Sequence, residues 1–571
     1  MKRPSSRWTA APRPDDAAAG ALARALAVPL PLARLLVARG HGNADGAKRF
    51  LRPELGHLHD PGLLKDLPEA VDRLTRAIRV GEPVLVHGDY DVDGMCSTAL
   101  MTRAIRALGG TAVPFIPDRR SDGYDLGPAG VAAARAAKAG VVLTCDCGTS
   151  ALEAAQALAE AGIDLIVSDH HLPGGPLPLA LAVLNPRRAD DESPDKDLAA
   201  VGVAFKLATA LTRALGGNEN VVLNSLDLVA LATVADVAPL RGENRVFVRR
   251  GLAMLAQSKS AGVRALLRSS GLEGKEITAG RVGYTLAPRL NALGRLDRGI
   301  RGVDLLLADS DEAALVIARL CEERNRERQE MDRRILDEAM RRVERLDLSE
   351  TWGIVLADKS WHAGVIGIVA SRLVEHAARP VFMIAIQDGV GKGSGRSIPA
   401  FDLHSALGAC GDLLLRHGGH RAAAGLTMNA ACIDAFAERF NAVARERLTA
   451  DDLERELRVD LELPLAEATE DLERMLRHLE PFGVGNPAPL FLARGARVAT
   501  SVQRIGADGV KVHMESPKGR LEAVGWGLAE RAGELAVGSR VDLAYKLERN
   551  EFRGRTTLQL GMVDFRRAVD G

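Results

Sequence analysis

The chain's 571 residues are too many for one hydrophobic core and imply on the order of two to four domains. At 47% hydrophobic and 26% charged it is globular in composition, and 75 Lys+Arg against 75 Asp+Glu exclude a basic field spread over the whole surface. Anion binding must come from local clustering, and with aromatics at 4% a base-stacking surface would rest on few side chains. The six cysteines (Cys96, Cys145, Cys147, Cys321, Cys410 and Cys432) show neither a C-x-x-C pair nor a disulfide framework, which predicts a reducing, cytoplasmic setting. Arg24, Pro29, Pro31 and Arg34 break the apolar stretch after the basic start, so neither export nor a membrane is expected.

In chain order, residues 1–75 read as a helical lead-in with a polar, Pro-containing start. An apolar run at 83–87 precedes a helix at 94–108. Runs at 111–116, 141–145, 164–168 and 181–184 follow, with helices near 129–139 and 150–161 between them. Apolar strands alternating with helices predict a doubly wound α/β domain around a mostly parallel sheet, over residues 76–245. Residues 246–350 are helical and end in a long charged segment from Asp311 to about Arg345, suited to a connecting helix with ion pairs on a solvated face. A second α/β pattern fills 351–448. From 449 to 571, short β-like runs at 458–463, 498–505, 510–514, 521–526, 540–547 and 556–562 predict a small β-barrel.

The stretch His87–Gly94 reads H-G-D-Y-D-V-D-G, the opening of an EF-hand calcium loop. The template then demands a glutamate at position twelve and an entering helix; the chain has Leu100 and an apolar strand, so the calcium reading fails. The alternative is a carboxylate cluster at a strand's carboxyl end, where open parallel sheets bind ligands. On strand spacing, Asp89, Asp91 and Asp93 should point to one side, with His87 behind them and Gly94 turning the chain into the helix. Two further predicted strands run into Asp146 and into Asp169-His170-His171. A single aspartate after a strand is most often a helix cap, but three such ends in succession, one with paired histidines, read as a metal site. Asp236, inside the apolar run 229–240, is either a paired structural charge or a further ligand.

Carboxylates with histidine and no thiolate favour Mn²⁺ or Mg²⁺ over structural zinc, and so many negative charges suit two ions sharing a carboxylate. Alternation puts Cys145 and Cys147 on the face away from Asp146, as buried small residues. Residues 391–397 (G-K-G-S-G-R-S) read as a Gly-rich turn whose backbone could cradle phosphate, although the order is not that of a P-loop. Residues 418–425 (G-G-H-R-A-A-A-G) read as a second turn into a small-residue helix.

D-x-D, a lone Asp, D-H-H and a further Asp, in this order, resemble the DHH phosphoesterase superfamily. W-H-A-G-V-I-G-I-V-A-S-R at 361–372, G-S-G-R-S at 393–397 and the 418–425 motif resemble the DHH-associated domain. P-R-L-N-A-L-G-R-L-D at 288–297 and P-F-G-V-G-N-P at 481–487 are similar to the RecJ family of bacterial single-stranded-DNA exonucleases, whose C-terminal barrel is an OB-fold. The resemblance runs from about residue 45 to the C-terminus. It implies two divalent ions held by Asp91, Asp93, Asp146, His170 and Asp236, with Asp146 bridging and Asp89 a weaker ligand. It implies that His171 faces the scissile phosphate and that Ser394 and Arg396 hold a terminal 5′-phosphate. Arg119 and Arg295 would make further phosphate contacts, with His362 and His420 lining the cleft. The implied activity is 5′→3′ release of mononucleotides from single-stranded DNA in recombination and repair. A monomer is implied, with single-strand-binding protein and a helicase as partners. One departure stands out: the family commonly has G-Y-G-L where this chain has Gly123-Tyr124-Asp125-Leu126, a carboxylate expected to alter binding near Arg119. The competing readings are a DHH phosphodiesterase of short oligonucleotides or cyclic dinucleotides, which the length and barrel oppose, and a silent replication scaffold, which the complete ligand set opposes.

Overall fold

The computed structural model describes residues 6–119, 121–552 and 555–568. They form two compact units: Arg52–Arg328 with Glu480–Pro487, and the remainder, comprising residues up to Leu51, Gln329–Leu479 and the chain from Ala488.

The first unit is built on a five-stranded, all-parallel sheet. Its spatial order is Ala112–Phe115, Val84–Gly88, Val141–Cys145, Asp164–Ser168, Ala182–Leu184. Alternate residues of each strand enter different cores. Val84, Val86, Leu143 and Ile166 pack with the helices Val92–Ala107, Ala200–Ala214 and Leu226–Ala235. Leu85, Val142, Leu165 and Val167 pack with Pro128–Ala136 and Leu152–Glu160. Burial on both faces is why these strands read as continuous apolar runs. Residues 200–343 form helices, among them Ala287–Leu296.

The 33-residue helix Asp311–Val343 spans the boundary between the units. Ala314, Ala318 and Cys321 are buried in the first core, and Ile335, Ala339 and Val343 in a core of the second. Some of its charges pair along the helix (Arg324–Glu327, Arg342–Glu338), while others reach neighbours (Arg289–Glu322, Arg324–Asp297).

The second unit contains a five-stranded sheet in the order Arg416–Gly419, Ala423–Asn429, Val390–Arg396, Val381–Gln387, Ile354–Asp358. Only the last pair is parallel. Helix Ile366–Ala377 packs against Val381 and Met383, and helix Ile433–Arg447 covers the other face through Phe436 and Phe440 against Phe382. Two sequence expectations are corrected here. Residues 391–397 are not a turn but a central strand, so the backbone N–H groups of Val390–Arg396 face two neighbouring strands and cannot cradle an anion. Residues 423–425 do not enter a helix; Ala423–Asn429 pairs with that strand along its length. Sheet pairing overrides the helix propensity of the alanines.

Among the described residues the C-terminal barrel region has seven strands, Leu461–Glu462 to Arg555–Arg567. Phe491–Arg497 is a strand that the sequence reading missed, and Ser6–Ala10, inside the expected helical lead-in, pairs in parallel with Arg455–Val459. Trp8 anchors that strand by donating to Asp564 at 2.9 Å. Among the described residues no single helix is long and apolar enough to cross a membrane.

Candidate metal centre

Three parallel strands deliver their following loops to one place. Val84–Gly88 leads to Asp89 and Asp91, Val141–Cys145 to Asp146, and Asp164–Ser168 to Asp169, His170 and His171. Contrary to the expectation from their spacing, the aspartates do not line up by strand alternation. The strand stops at Gly88, Asp91 caps helix Val92–Ala107 by accepting Asp93 and Gly94 N–H (2.9 and 3.1 Å), and Asp93 lies in the first helical turn. Gly94 is inside the helix; a Cβ there would meet the Asp89 backbone at 2.4 Å. His87 lies away from the carboxylates, against Cys147 Sγ at 3.5 Å and the Phe115 ring. Asp146 is left-handed (φ 68°), which breaks the alternation assumed for its flanking cysteines. Cys145 joins the core of the Val92–Ala107 helix and Cys147 the neighbourhood of His87; both are buried and neither is near enough to share a ligand group.

Among the described residues, three sets of side-chain atoms each lie within 4.8 Å of one another: Asp89, Asp91 and Asp146; Asp146, His170 and His171; Asp93, His170 and Asp236. Asp146 and His170 each belong to two sets. His170 Nδ1 donates to the Leu198 carbonyl at 3.2 Å, which turns the Nε2 lone pair toward Asp146 Oδ1 (3.2 Å) and Asp236 Oδ2 (3.8 Å). Burial, and then repulsion from His171, hold the His170 pKa down at about 4, so the ring is neutral and a donor of electrons. Asp89 Oδ1, Asp146 Oδ1 and His170 Nε2 are buried without a hydrogen-bond partner.

The carboxylates raise one another. Burial and the charge of Asp91 push Asp89 well above the carboxylate range, and Asp146 is raised by burial and by Asp91, Asp93, Asp236 and Asp89. Asp93 is pushed to about 7 by burial and Asp91, even though both its oxygens accept N–H groups from the start of helix Ala200–Ala214, Ala200 and Val201, each at 2.9 Å. Asp236 caps the C-terminus of Leu226–Ala235, the negative end of a helix dipole, and burial with Asp93 and Asp91 raises it strongly. Such a group of buried acids is relieved by protonation or by bound cations. The donors present, oxygens with one or two imidazoles, fit Mn²⁺ or Mg²⁺.

Asp169 was not singled out in the sequence as a site residue, though it is the first letter of D-H-H. Its Oδ1 accepts the N–H of His170 (2.7 Å), the N–H of His171 (3.2 Å) and His171 Nδ1 (2.8 Å), and its Oδ2 accepts Thr149 N–H (3.1 Å). Burial opposes ionisation, but these bonds and the histidine charge hold Asp169 below the ordinary carboxylate range. Burial likewise opposes charge on His171, yet Asp169 outweighs it and pushes His171 up to about 9. Asn185, after the fifth strand, pins the same loop by donating to the His171 carbonyl (2.8 Å) and to Thr149 Oγ1 (3.0 Å). Tyr124 Oη lies 3.4 Å from His171 Nε2, and its ring meets both His171 and Tyr90 edge-on. Arg119 stacks over Tyr90 at 5.0 Å. Arg295 also acts on Tyr90 electrostatically, and Gly294 beside it packs so closely that a Cβ would meet the Tyr90 carbonyl at 2.0 Å. Asp125, the departure from the family pattern, accepts Gly148 N–H (2.7 Å) and Leu126 N–H (2.8 Å) on its carboxylate.

In the second unit, Ser394 and Arg396 lie on one face of their strand, beside Gly367 in the first turn of helix Ile366–Ala377. Arg396 Nη1 donates to Ser394 Oγ at 3.2 Å. His362 lies just before that helix, its Nδ1 accepting Gly364 N–H, and His420 lies in the hairpin turn next to Ala423, the residue paired with Arg396.

Comparison with known proteins follows the same division. The DHH family, N-terminal domain, matches residues 83–233, the DHHA1 domain 350–446 and the RecJ OB domain 459–564. The single-stranded-DNA-specific exonuclease RecJ of Bacillus subtilis (strain 168) is 36% identical over 556 residues, covering 97% of this chain and 70% of the relative. RecJ of Escherichia coli (strain K12) is 36% identical over 554 residues, covering 93% and 95%. The chain belongs to the RecJ family. Its fold matches the crystal structure of RecJ from Thermus thermophilus in complex with Mn²⁺, with a TM-score of 0.85, 34% identity and coverage of 99% of this chain and 80% of the other. The Mg²⁺ complex of the same protein gives 0.79 and 33%, with coverage of 99% and 79%.

Proposed function

We propose that this RecJ-family chain is a metal-dependent exonuclease that hydrolyses single-stranded DNA from the 5′ end and releases 5′-mononucleotides. The observation that carries the reading is the cluster of buried, partnerless ligand atoms on Asp89, Asp146 and His170 where three parallel strands end. Asp91, Asp93, Asp146, His170 and Asp236, with Asp89 beside them, would hold two divalent ions, Asp146 serving both. When bound, such ions supply Lewis-acid polarisation of a phosphoryl oxygen and a nucleophile available at neutral pH.

The protein's own groups do the rest. Asp169 holds His171 by Nδ1 and keeps it charged, so His171 presents Nε2–H toward the phosphate or the departing oxygen. Tyr124, a neutral phenol at physiological pH, packs edge-on against the His171 ring with its Oη 3.4 Å from Nε2. Arg119 and Arg295 provide forked donors for backbone phosphates next to the scissile one. Ser394 and Arg396, beside a helix N-terminus, suit the terminal 5′-phosphate, with His362 and His420 nearby. The barrel contributes a groove for single strands. The same reading extends to a cytoplasmic monomer working with single-strand-binding protein and a helicase, which co-purification and light scattering test.

The direct test is incubation of 5′-phosphorylated single-stranded DNA with Mn²⁺. Mononucleotides should appear and EDTA should stop them. No release, or undiminished release by Asp146→Ala, would overturn the reading.

A further inference from the structure

The motif P-F-G-V-G-N-P at 481–487 is not among the residues proposed above as metal ligands or phosphate contacts. Yet Glu480–Pro487 belongs to the compact unit of the metal centre, while the residues on either side of it in sequence belong to the other unit. The segment closes on itself. Gly483 N–H donates to the Asn486 carbonyl (2.9 Å), Asn486 N–H returns to Gly483 (3.1 Å), and the buried Asn486 side chain donates to the Pro481 carbonyl (2.8 Å).

The outward contacts of this loop lead to the ligands. The Val484 carbonyl accepts Leu240 N–H at 2.7 Å, and a Cβ on Gly483 would come within 2.6 Å of the Leu240 side chain. The Glu480 carbonyl accepts Arg245 Nη2 at 2.9 Å. Leu240 ends the turn that starts at Asp236. Within that turn Val237 is left-handed (φ 61°), an unfavourable conformation for a β-branched residue that persists only where its surroundings impose it. Asn244 carries the connection on. Its Nδ2 donates to the carbonyls of Pro239 (3.2 Å) and Asp197 (2.6 Å), and its Oδ1 accepts Ala199 N–H (3.4 Å). The segment 197–201 then holds two ligands, through the Leu198 carbonyl on His170 Nδ1 and through Ala200 and Val201 N–H on Asp93. Asp93, His170 and Asp236 form one of the three ligand sets.

We infer that the Glu480–Pro487 loop is a positioning strap for the metal subsite of Asp93, His170 and Asp236, acting through Leu240 and Asn244. This rests on the metal reading proposed above. Positioning partners of metal ligands typically change affinity about 10–100-fold when removed.

The experiment is Mn²⁺ titration of the full chain without DNA, followed by electron paramagnetic resonance of free Mn²⁺, for wild type and Asn486→Ala. Wild type should bind two ions, and Asn486→Ala should bind one of them about tenfold more weakly. Its exonuclease rate, low at limiting Mn²⁺, should return to the wild-type rate at saturating Mn²⁺. Asn244→Ala should act in the same direction, and the double variant should be no worse than Asn244→Ala. Should Asn486→Ala unfold in a circular-dichroism melt, Gly483→Ala, which presses only on Leu240, carries the same expectation. Wild-type Mn²⁺ affinity in the folded variant, or a rate loss that persists at saturating Mn²⁺, overturns the strap. Failure of the wild-type chain to bind Mn²⁺ overturns the metal reading itself.

Discussion

The metal centre and the Ser394–Arg396 strand are both regions suited to phosphate, and they are built in opposite ways. The first is an acidic pocket whose buried side chains are fixed by backbone N–H groups, as in Asp93 on helix Ala200–Ala214 and Asp169 on its own loop. The second is a partly exposed arginine and serine on alternate positions of one strand. Buried acids that repel one another bind cations favourably, and phosphoryl chemistry uses such cations. An accessible guanidinium needs no such help and suits recognition of a chain end. On the function proposed above, the contrast separates turnover from end selection.

Several substitutions break or sharpen that contrast. Asp146→Ala has the largest expected effect, a loss of about 10³-fold or more in kcat, the scale reached when a main electrostatic stabiliser is removed. Binding of a 5′-phosphorylated strand in EDTA should be unchanged; if it falls equally, the two regions are not separable. Asp169→Asn comes next, at about 10²-fold in kcat, the lower range for general acid–base help. The sign of its pH effect follows from His171, which Asp169 pushes up to about 9: the ring is charged below that pH and loses its proton as pH rises through it. Without Asp169 the alkaline fall in rate should move to lower pH, and a profile that keeps its alkaline limb would remove His171 as the acid.

Arg396→Ala should raise KM for 5′-phosphorylated strands about tenfold, equivalent to one charge-assisted hydrogen bond, with kcat retained. Equal loss for 5′-hydroxyl strands would show that Arg396 does not read the terminal phosphate. The smallest effect on turnover is expected for Gly294→Ala. Its Cβ would meet the Tyr90 carbonyl, so thermal unfolding should show about 1–3 kcal/mol of destabilisation by overpacking, with KM rising as Arg295 moves. Undisturbed melting would mean that the helix Ala287–Leu296 can slide away.

Most of the first unit was legible in the sequence because parallel strands buried on both faces leave unmistakable apolar runs, and because three of the five run into a carboxylate or a histidine. The strand at 390–396 was not, since its glycines and polar residues carry the local signature of a turn; only pairing with Val381–Gln387 and Ala423–Asn429 makes it a strand. The strand Ser6–Ala10 was hidden for the same reason, because its partner lies about 450 residues away in the chain. Asp169 was passed over beside two histidines, and its bonds to the loop that carries them are invisible until the loop is folded.

By itself the sequence determined which residues could hold metal, because ligand chemistry is a property of side chains, and it determined the alternation of strands and helices in the parallel sheet of the first unit, because periodicity is local. The tertiary structure alone decided how those ligands divide. Asp91 became a helix cap, Asp93 a carboxylate on a helix N-terminus, Asp146 the member of two ligand sets, and Asp169 the anchor of His171. Those differences arise from burial, from helix ends and from contacts between segments hundreds of residues apart, and none of these is written in the spacing of H-G-D-Y-D-V-D-G.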